Sequence, residues 1–425
     1  MAPETESQPS SEPASFEWRP YRAQHRRAQD DAAHAELAKH GVPESPRHEL
    51  APENEPELID SPDRLGPALY TLREAGVFGF DTEFIGEESY HPRICVVQAA
   101  TVDQVEVIDA LAGLDLEPFW RLIVDPSVRK IVHAGAQDLE PAVRLTGQAP
   151  AAVVDTQVAA AFAGFAYPVS LAALAEQLLG VELGKGLKFS KWDRRPLSDV
   201  QLHYAANDVR YLPAIAEALD EKLRSLGNDG WARAACEELC AVEPYAIDPL
   251  ARKFKARGVR SMGRKKRAAF EALVLWREAL AKRVDAPPRS LVGDQVLSDL
   301  AAAHPTDKGE LKYVKGLPRP IRKEFGLEIL DVIDGARKGP LPPRDRADPG
   351  QTDADRARID RVWDAVSRVC AERRIDPKAL TSKKDLARVC LWRRRGGEGE
   401  APRILTGWRR ELVGDAVAEM EPAGE

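Results

Sequence analysis

At 425 residues the chain has room for about three domains, and its 44% hydrophobic content is that of a globular protein with proper cores. No apolar run approaches the ~20 residues that cross a bilayer, and the start, Met1-Ala-Pro-Glu-Thr-Glu-Ser, lacks the basic and apolar stretches of a signal peptide, so the expected address is cytoplasmic. A net charge of −7 argues against a protein that coats nucleic acid, but it hides a local excess: from Ala251 to Arg283, twelve Lys and Arg stand against two Glu.

Residues 1–55 are acidic and rich in Pro, Glu, Ser and Ala, the composition of a disordered extension, with a short helix over Ala23–Lys39. Ordered structure is expected from Glu57, with a helix over Ser61–Ala75 stopped at Gly76. Strands are predicted at Gly76–Asp81, Arg93–Ala100 and Gln104–Asp109; the short spacing favours antiparallel hairpins. The rhythm then alternates: helix Glu117–Asp125, strand Lys130–His133, helix Asp138–Thr146, strand Ala152–Asp155, and a long helical region Thr156–Leu179. This predicts an α/β domain over 56–228, with a mixed sheet of three antiparallel strands followed by βα units.

A basic, glycine-bearing loop runs from Leu183 to Leu197, and Ser198 reads as the N-cap of a helix carrying Tyr204 and Asp208. Beyond it no strand is predicted. The pattern gives a helical connector at 229–250, a small all-α domain at 251–338, a Pro-rich linker at 339–351 and a second small all-α domain at 352–425. The five cysteines form no CxxC pair, which points to reduced thiols packed in helices.

Four acids carry the chemistry. Asp81 and Glu83 are two apart, hence on one side of an extended strand. Asp138 begins a helix after a strand, and so falls where α/β folds place active residues. Asp155 competes with it, although Asp-Thr-Gln suits an N-cap. Tyr204 and Asp208 are one helical turn apart and share a face. Taken singly, each is an ordinary turn acid, helix-terminal acid or core tyrosine. Gathered, carboxylates repel unless divalent cations neutralise them, and a hard cation pair held by carboxylates is suited to phosphodiester hydrolysis. A phenol beside such a site can orient the attacking water. His133 reads as a hydrogen-bonding residue, because hard cations prefer oxygen.

The segments Asp81-Thr-Glu-Phe, His133-Ala-Gly-Ala-Gln-Asp-Leu-Glu and Tyr204-Ala-Ala-Asn-Asp resemble, in order, the three exonuclease motifs of the DEDDy group. Asp155-Thr-Gln, Arg195-Pro-Leu-Ser and Gly407-Trp-Arg-Arg-Glu-Leu extend the resemblance to the ribonuclease D family over residues 57–425. The resemblance implies an RNase H-like exonuclease domain followed by two HRDC-type domains. It implies metal binding by Asp81, Glu83, Asp138 and Asp208, which ranks Asp138 above Asp155, and a water-positioning role for Tyr204. The implied cofactors are two Mg²⁺ or Mn²⁺ ions. The implied reaction is 3′→5′ hydrolysis of RNA to nucleoside 5′-monophosphates, with tRNA precursors or other structured RNAs as partners. Trp192-Asp193 departs from the family's Asp-Trp order.

For RNA grip, the basic residues Arg252, Lys253, Lys255, Arg264, Lys265 and Lys266 are candidates, with Lys185, Lys188 and Lys191 in the loop. Phe84, His91 and Phe189 are candidates for base stacking. Nothing in the pattern calls for a membrane or an obligate protein partner. Two rival readings are a DNA-directed 3′→5′ exonuclease and an inactive nucleic-acid-binding adaptor. The absence of a helicase or polymerase region disfavours the first, and the intact acids disfavour the second.

Overall fold

The computed structural model describes residues 45–183, 191–251, 256–342 and 352–420. They fall into two compact units. The larger holds 45–84, 94–183, 191–246 and 352–420; the smaller holds 247–251 and 256–342 together with the loop 85–93.

The larger unit is built on a six-stranded sheet of β1 (Leu58–Ile59), β2 (Val77–Ile85), β3 (Arg93–Ala100), β4 (Val105–Asp109), β5 (Arg129–Val132) and β6 (Val153–Asp155), in the order β1-β4-β3-β2-β5-β6. β3 and β4 pair antiparallel, while β1 with β4, β2 with β5 and β5 with β6 are parallel. Helices α1 (Pro62–Ala75), α2 (Glu117–Val124) and α3 (Ala136–Thr146) bury Leu72, Phe119, Trp120 and Leu139 against Phe78, Phe80 and Val97 of the strands. α1 stops at Gly76, whose φ of 66° is the left-handed turn that glycine adopts without a Cβ penalty.

The predicted helical region at 156–179 holds two helices, α4 (Thr156–Phe162) and α5 (Leu171–Leu179). Gly164 turns left-handed at φ 91°, and Pro168, which follows a cis peptide bond, offers no backbone donor to continue a helix. Then come α6 (Asp199–Arg210), α7 (Leu212–Leu226) and α8 (Asp229–Glu237).

The C-terminal helices α13 (Asp353–Glu372), α14 (Lys383–Arg394) and α15 (Gly407–Val413) pack into the same core as α4, α5, α7 and α8. Polar clasps reinforce this packing. Glu238 accepts from Arg403, from both terminal guanidinium nitrogens of Arg409 and from Trp408 Nε1. The Asn228 amide donates to the carbonyls of Phe162 and Arg373, both at 2.8 Å.

The smaller unit has its own core, formed by α9 (Arg264–Arg283), α10 (Pro288–Leu291), α11 (Asp294–Ala303) and α12 (Arg319–Lys338) around Phe270, Leu273, Leu297 and Ile329. Tyr90 of the loop 85–93 packs on it, its hydroxyl on Glu278 and its N–H on Asp285. Among the described residues no helix is long and apolar enough to cross a membrane.

Candidate active site

Strand alternation sorts the residues of β2. Phe78 and Phe80 enter the core beneath α1–α3, which leaves Gly79, Asp81 and Glu83 on the other face. Gly79 permits a close approach on that face: a Cβ there would stand 2.6 Å from Leu212 Cβ. Leu212 opens α7, four residues after Asp208, so this approach delivers the end of α6 to the strand. α6 itself is fixed by a capping box, with Ser198 and Gln201 each satisfying the other's backbone N–H.

The result is a cluster. Carboxylate oxygens of Asp81, Glu83 and Asp208 lie within 4.8 Å of one another. Asp138, in the first turn of α3, lies outside that trio but beside it. Its Oδ1 accepts from the backbone N–H of Thr82 at 3.2 Å and from the Thr82 hydroxyl, and its charge acts directly on Asp81. β2 runs on to Ile85, so Glu83 lies inside the strand and not beyond its predicted end at Asp81.

Among the described residues no cation of the protein balances this charge. Burial, followed by the charges of Asp138, Asp208 and Glu83, holds Asp81 well above the usual carboxylate range. Burial and the charges of Asp208 and Asp138 push Glu83 up to about 9. Burial raises Asp208 to about 7 against the lowering effect of its bond from Tyr204, and raises Asp138 to about 6 against its bonds from Thr82. Tyr204 is driven up by burial and by the charges of Asp208 and Glu83, so its hydroxyl keeps its proton and acts as a donor. An all-oxygen donor set with uncompensated negative charge fits hard divalent cations.

Other residues hold the frame, and the sequence pattern did not reveal their partners. Asp155 caps α4, as its Asp-Thr-Gln context suggested, through Gln157 N–H and Val158 N–H. The same carboxylate also accepts from Ala134 N–H at 3.0 Å and Gly135 N–H at 3.2 Å. It thereby fixes the turn that launches α3 and Asp138, where Ala134 sits at φ 58°. His133 bonds Thr156 Oγ1 and the Val169 carbonyl, and burial lowers its pKa. Arg195 grips Asp109 through Nε and Nη2, the first at 2.6 Å, and the carbonyls of Cys95 and Trp192 at 2.9 and 2.8 Å. Trp192 is buried, its ring centroid 6.1 Å from that of Tyr204.

Among the candidates for RNA binding, Lys185, Lys188, Phe189, Arg252, Lys253 and Lys255 lie outside the described residues. Lys191 and Phe84 are half-buried. His91 meets Tyr90 edge-on, with 4.6 Å between ring centroids. Arg264 donates to the carbonyls of Pro342 and Leu341, while Lys265 and Lys266 are exposed beside Arg257 in a groove at the start of α9.

With this geometry established, known proteins supply a frame. Residues 56–224 match the family described as 3′-5′ exonuclease, and residues 266–333 match the HRDC domain. The chain is 35% identical over 372 residues to ribonuclease D of Gluconacetobacter diazotrophicus, covering 86% of this chain and 93% of that one. It is 35% identical over 369 residues to ribonuclease D of Granulibacter bethesdensis, covering 85% and 92%. The crystal structure of Escherichia coli RNase D superposes with a TM-score of 0.74 at 25% identity, covering 86% of this chain and 99% of that one.

Proposed function

We propose that this chain, which belongs to the ribonuclease D family of 3′–5′ exoribonucleases, cuts RNA with two divalent cations held by Asp81, Glu83, Asp138 and Asp208. Mg²⁺ or Mn²⁺ suits such an oxygen site, and supplies Lewis acidity and charge neutralisation at a scissile phosphate. The observation that carries the reading is the convergence of Asp81, Glu83 and Asp208 within 4.8 Å.

In this reading Asp81, Glu83 and Asp208, with Asp138 braced by Thr82 beside them, would hold the ions. Tyr204 keeps its proton and orients the attacking water through its hydroxyl. Water adds to phosphorus as the 3′-oxygen leaves, which gives a nucleoside 5′-monophosphate and an RNA one residue shorter. Trp192, packed against Tyr204, holds that hydroxyl in place.

The natural substrates we infer are 3′ ends of structured RNAs such as tRNA precursors, handled in the cytoplasm. The description of the E. coli relative as an exoribonuclease involved in structured RNA processing supports this. Residues 251–338 are read as an HRDC domain that contributes to RNA grip through Lys265 and Lys266, and the helices of 352–425 as a second, HRDC-like element.

The test is a labelled RNA and its DNA counterpart, each with Mg²⁺, Mn²⁺ or EDTA. Metal-dependent shortening of the RNA to mononucleotides is expected; preferential shortening of DNA, or binding with no cutting, overturns the reading. Asp81→Ala is expected to lower turnover by roughly a thousandfold or more, the scale of removing a group that stabilises the transition state electrostatically, while largely sparing RNA affinity.

A further inference from the structure

The turn between α11 and α12 exposes an aromatic ring among unpaired cations. Leu311, Val314, Leu317 and Ile321 are buried in the core of the smaller unit. That spacing turns the intervening residues outward. One of them is Tyr313, 87% exposed, the most exposed large hydrophobic side chain among the described residues. Tyrosines elsewhere are employed: the hydroxyls of Tyr90, Tyr211 and Tyr245 bond Glu278, the Pro46 carbonyl and the Leu239 carbonyl. Folding gives Tyr313 no such task.

The charge around it is mainly positive: from Asp307 to Glu324 there are six Lys and Arg against three acids, Asp307, Glu310 and Glu324. Glu310 is itself occupied, accepting from the Thr306 N–H at 2.7 Å and its hydroxyl at 3.1 Å. Elsewhere in this unit cations find partners, as in Arg277–Asp294, Arg283–Glu328 and Lys338–Asp334. Lys312, Lys315 and Arg319 are exposed, and among the described residues their side chains make no hydrogen bond or ion pair.

An exposed ring flanked by free ammonium and guanidinium groups matches single-stranded nucleic acid, whose bases offer π faces and whose backbone offers phosphates. Tyr and Arg also suit protein–protein interfaces, but the two lysines weigh against a protein partner, because lysine is depleted there. We propose that Tyr313, with Lys312, Lys315 and Arg319, is a stacking platform for an unpaired stretch of the RNA substrate. The platform rests on the RNA-cleaving reading for the identity of its ligand. It adds a binding site separate from the acid cluster and from the Lys265–Lys266 groove.

The experiment measures binding of a single-stranded 20-nucleotide RNA to the full chain in EDTA, by fluorescence anisotropy at several salt concentrations. Tyr313→Ala is expected to raise Kd about tenfold, since stacking is worth roughly 1–3 kcal/mol per base, and Tyr313→Phe is expected to bind as wild type. Lys312→Ala with Lys315→Ala is expected to flatten the salt slope by about 0.7 for each phosphate that is no longer neutralised. Because Tyr313 is exposed, its variants are expected to unfold at the wild-type temperature. Wild-type affinity in Tyr313→Ala overturns the platform, and is the result expected if a protein docks there instead. Cleavage of a dinucleotide by the wild type keeps the two questions apart: cleavage with unaltered Tyr313→Ala binding defeats the platform alone, and absence of cleavage defeats the functional reading.

Discussion

Glu238 and the Asp81–Glu83–Asp208 cluster are carboxylates withdrawn from water in the same unit, yet their surroundings drive them apart. Glu238 meets Arg409, Arg403 and Trp408, and those donors hold it below the usual range despite burial. The cluster meets its own kind, and burial with mutual repulsion holds its members above that range. One environment supplies its counter-charge from the chain, and serves to fasten helix α15 to the end of α8. The other has no counter-charge among the described residues, which is what the proposed ion site requires and a structural ion pair does not.

The largest expected effect comes from pH. A carboxyl whose folded pKa is raised binds more protons folded than unfolded once pH exceeds its ordinary value, so its stability contribution is complete below about pH 4 and lost as pH rises through the folded value. With Asp138 near 6, Asp208 near 7 and Glu83 near 9, stability in EDTA is expected to fall between about pH 4 and 9. Saturating Mg²⁺ or Mn²⁺ is expected to flatten that slope, and Asp81→Asn to raise the metal-free melting temperature at pH 8 while abolishing turnover. Calorimetric melting from pH 5 to 9 checks this; equal slopes with and without metal would remove the distinction between the two environments.

Glu238 has the opposite sign. Its lowered pKa gives stability that is present above the ordinary carboxylate value and lost as pH falls through the folded value. Glu238→Ala strands Arg409, whose side chain is only 10% exposed. Breaking a buried pair costs ~3–5 kcal/mol; Glu238 retains some solvent, so about 2–3 kcal/mol is expected in chemical denaturation. Arg283→Ala, which breaks the exposed pair with Glu328, is expected to cost less than ~1 kcal/mol. Equal losses in the two variants would mean that the clasp contributes no more than a surface pair.

The acids of the cluster were legible because two local periods suffice for them: alternation along β2 pairs Asp81 with Glu83, and one turn of α6 pairs Tyr204 with Asp208. Motif order then brought in Asp138 ahead of Asp155. The strand and helix succession of the nuclease sheet was legible in the same way. What stayed hidden was long-range. Thr82 meets Asp138 across 56 positions, Arg195 meets Asp109 across 86, and Arg409 meets Glu238 across 171. No periodicity encodes such pairs, so the C-terminal helices read as a separate body although they share the nuclease core. The break at Gly164 and Pro168 was legible in principle, but the alanine-rich helical pattern on both sides masked it. β1, with two residues, is too short to leave an alternating signal.

Asp155 gives the finest test, because it belongs to neither class: among the described residues it has no Lys or Arg ion pair and stands outside the Asp81–Glu83–Asp208 cluster, yet four backbone N–H groups converge on it. Oδ1 serves Gln157, Val158 and Ala134, and Oδ2 serves Gly135. Asp155→Asn keeps one acceptor for the α4 cap but can turn an amide N–H toward Gly135 N–H, so it loosens the turn that aims Asp138 without uncapping α4. We expect unfolding within about 1 kcal/mol of wild type, whereas Asp155→Ala also loses the cap at ~1 kcal/mol or more. For Asp155→Asn, kcat is expected to fall about tenfold, equivalent to about 1.4 kcal/mol, with weaker apparent divalent-ion affinity and unchanged KM for RNA. Wild-type kcat and metal dependence in this variant would reduce Asp155 to a helix cap and leave Thr82 as the sole brace of Asp138.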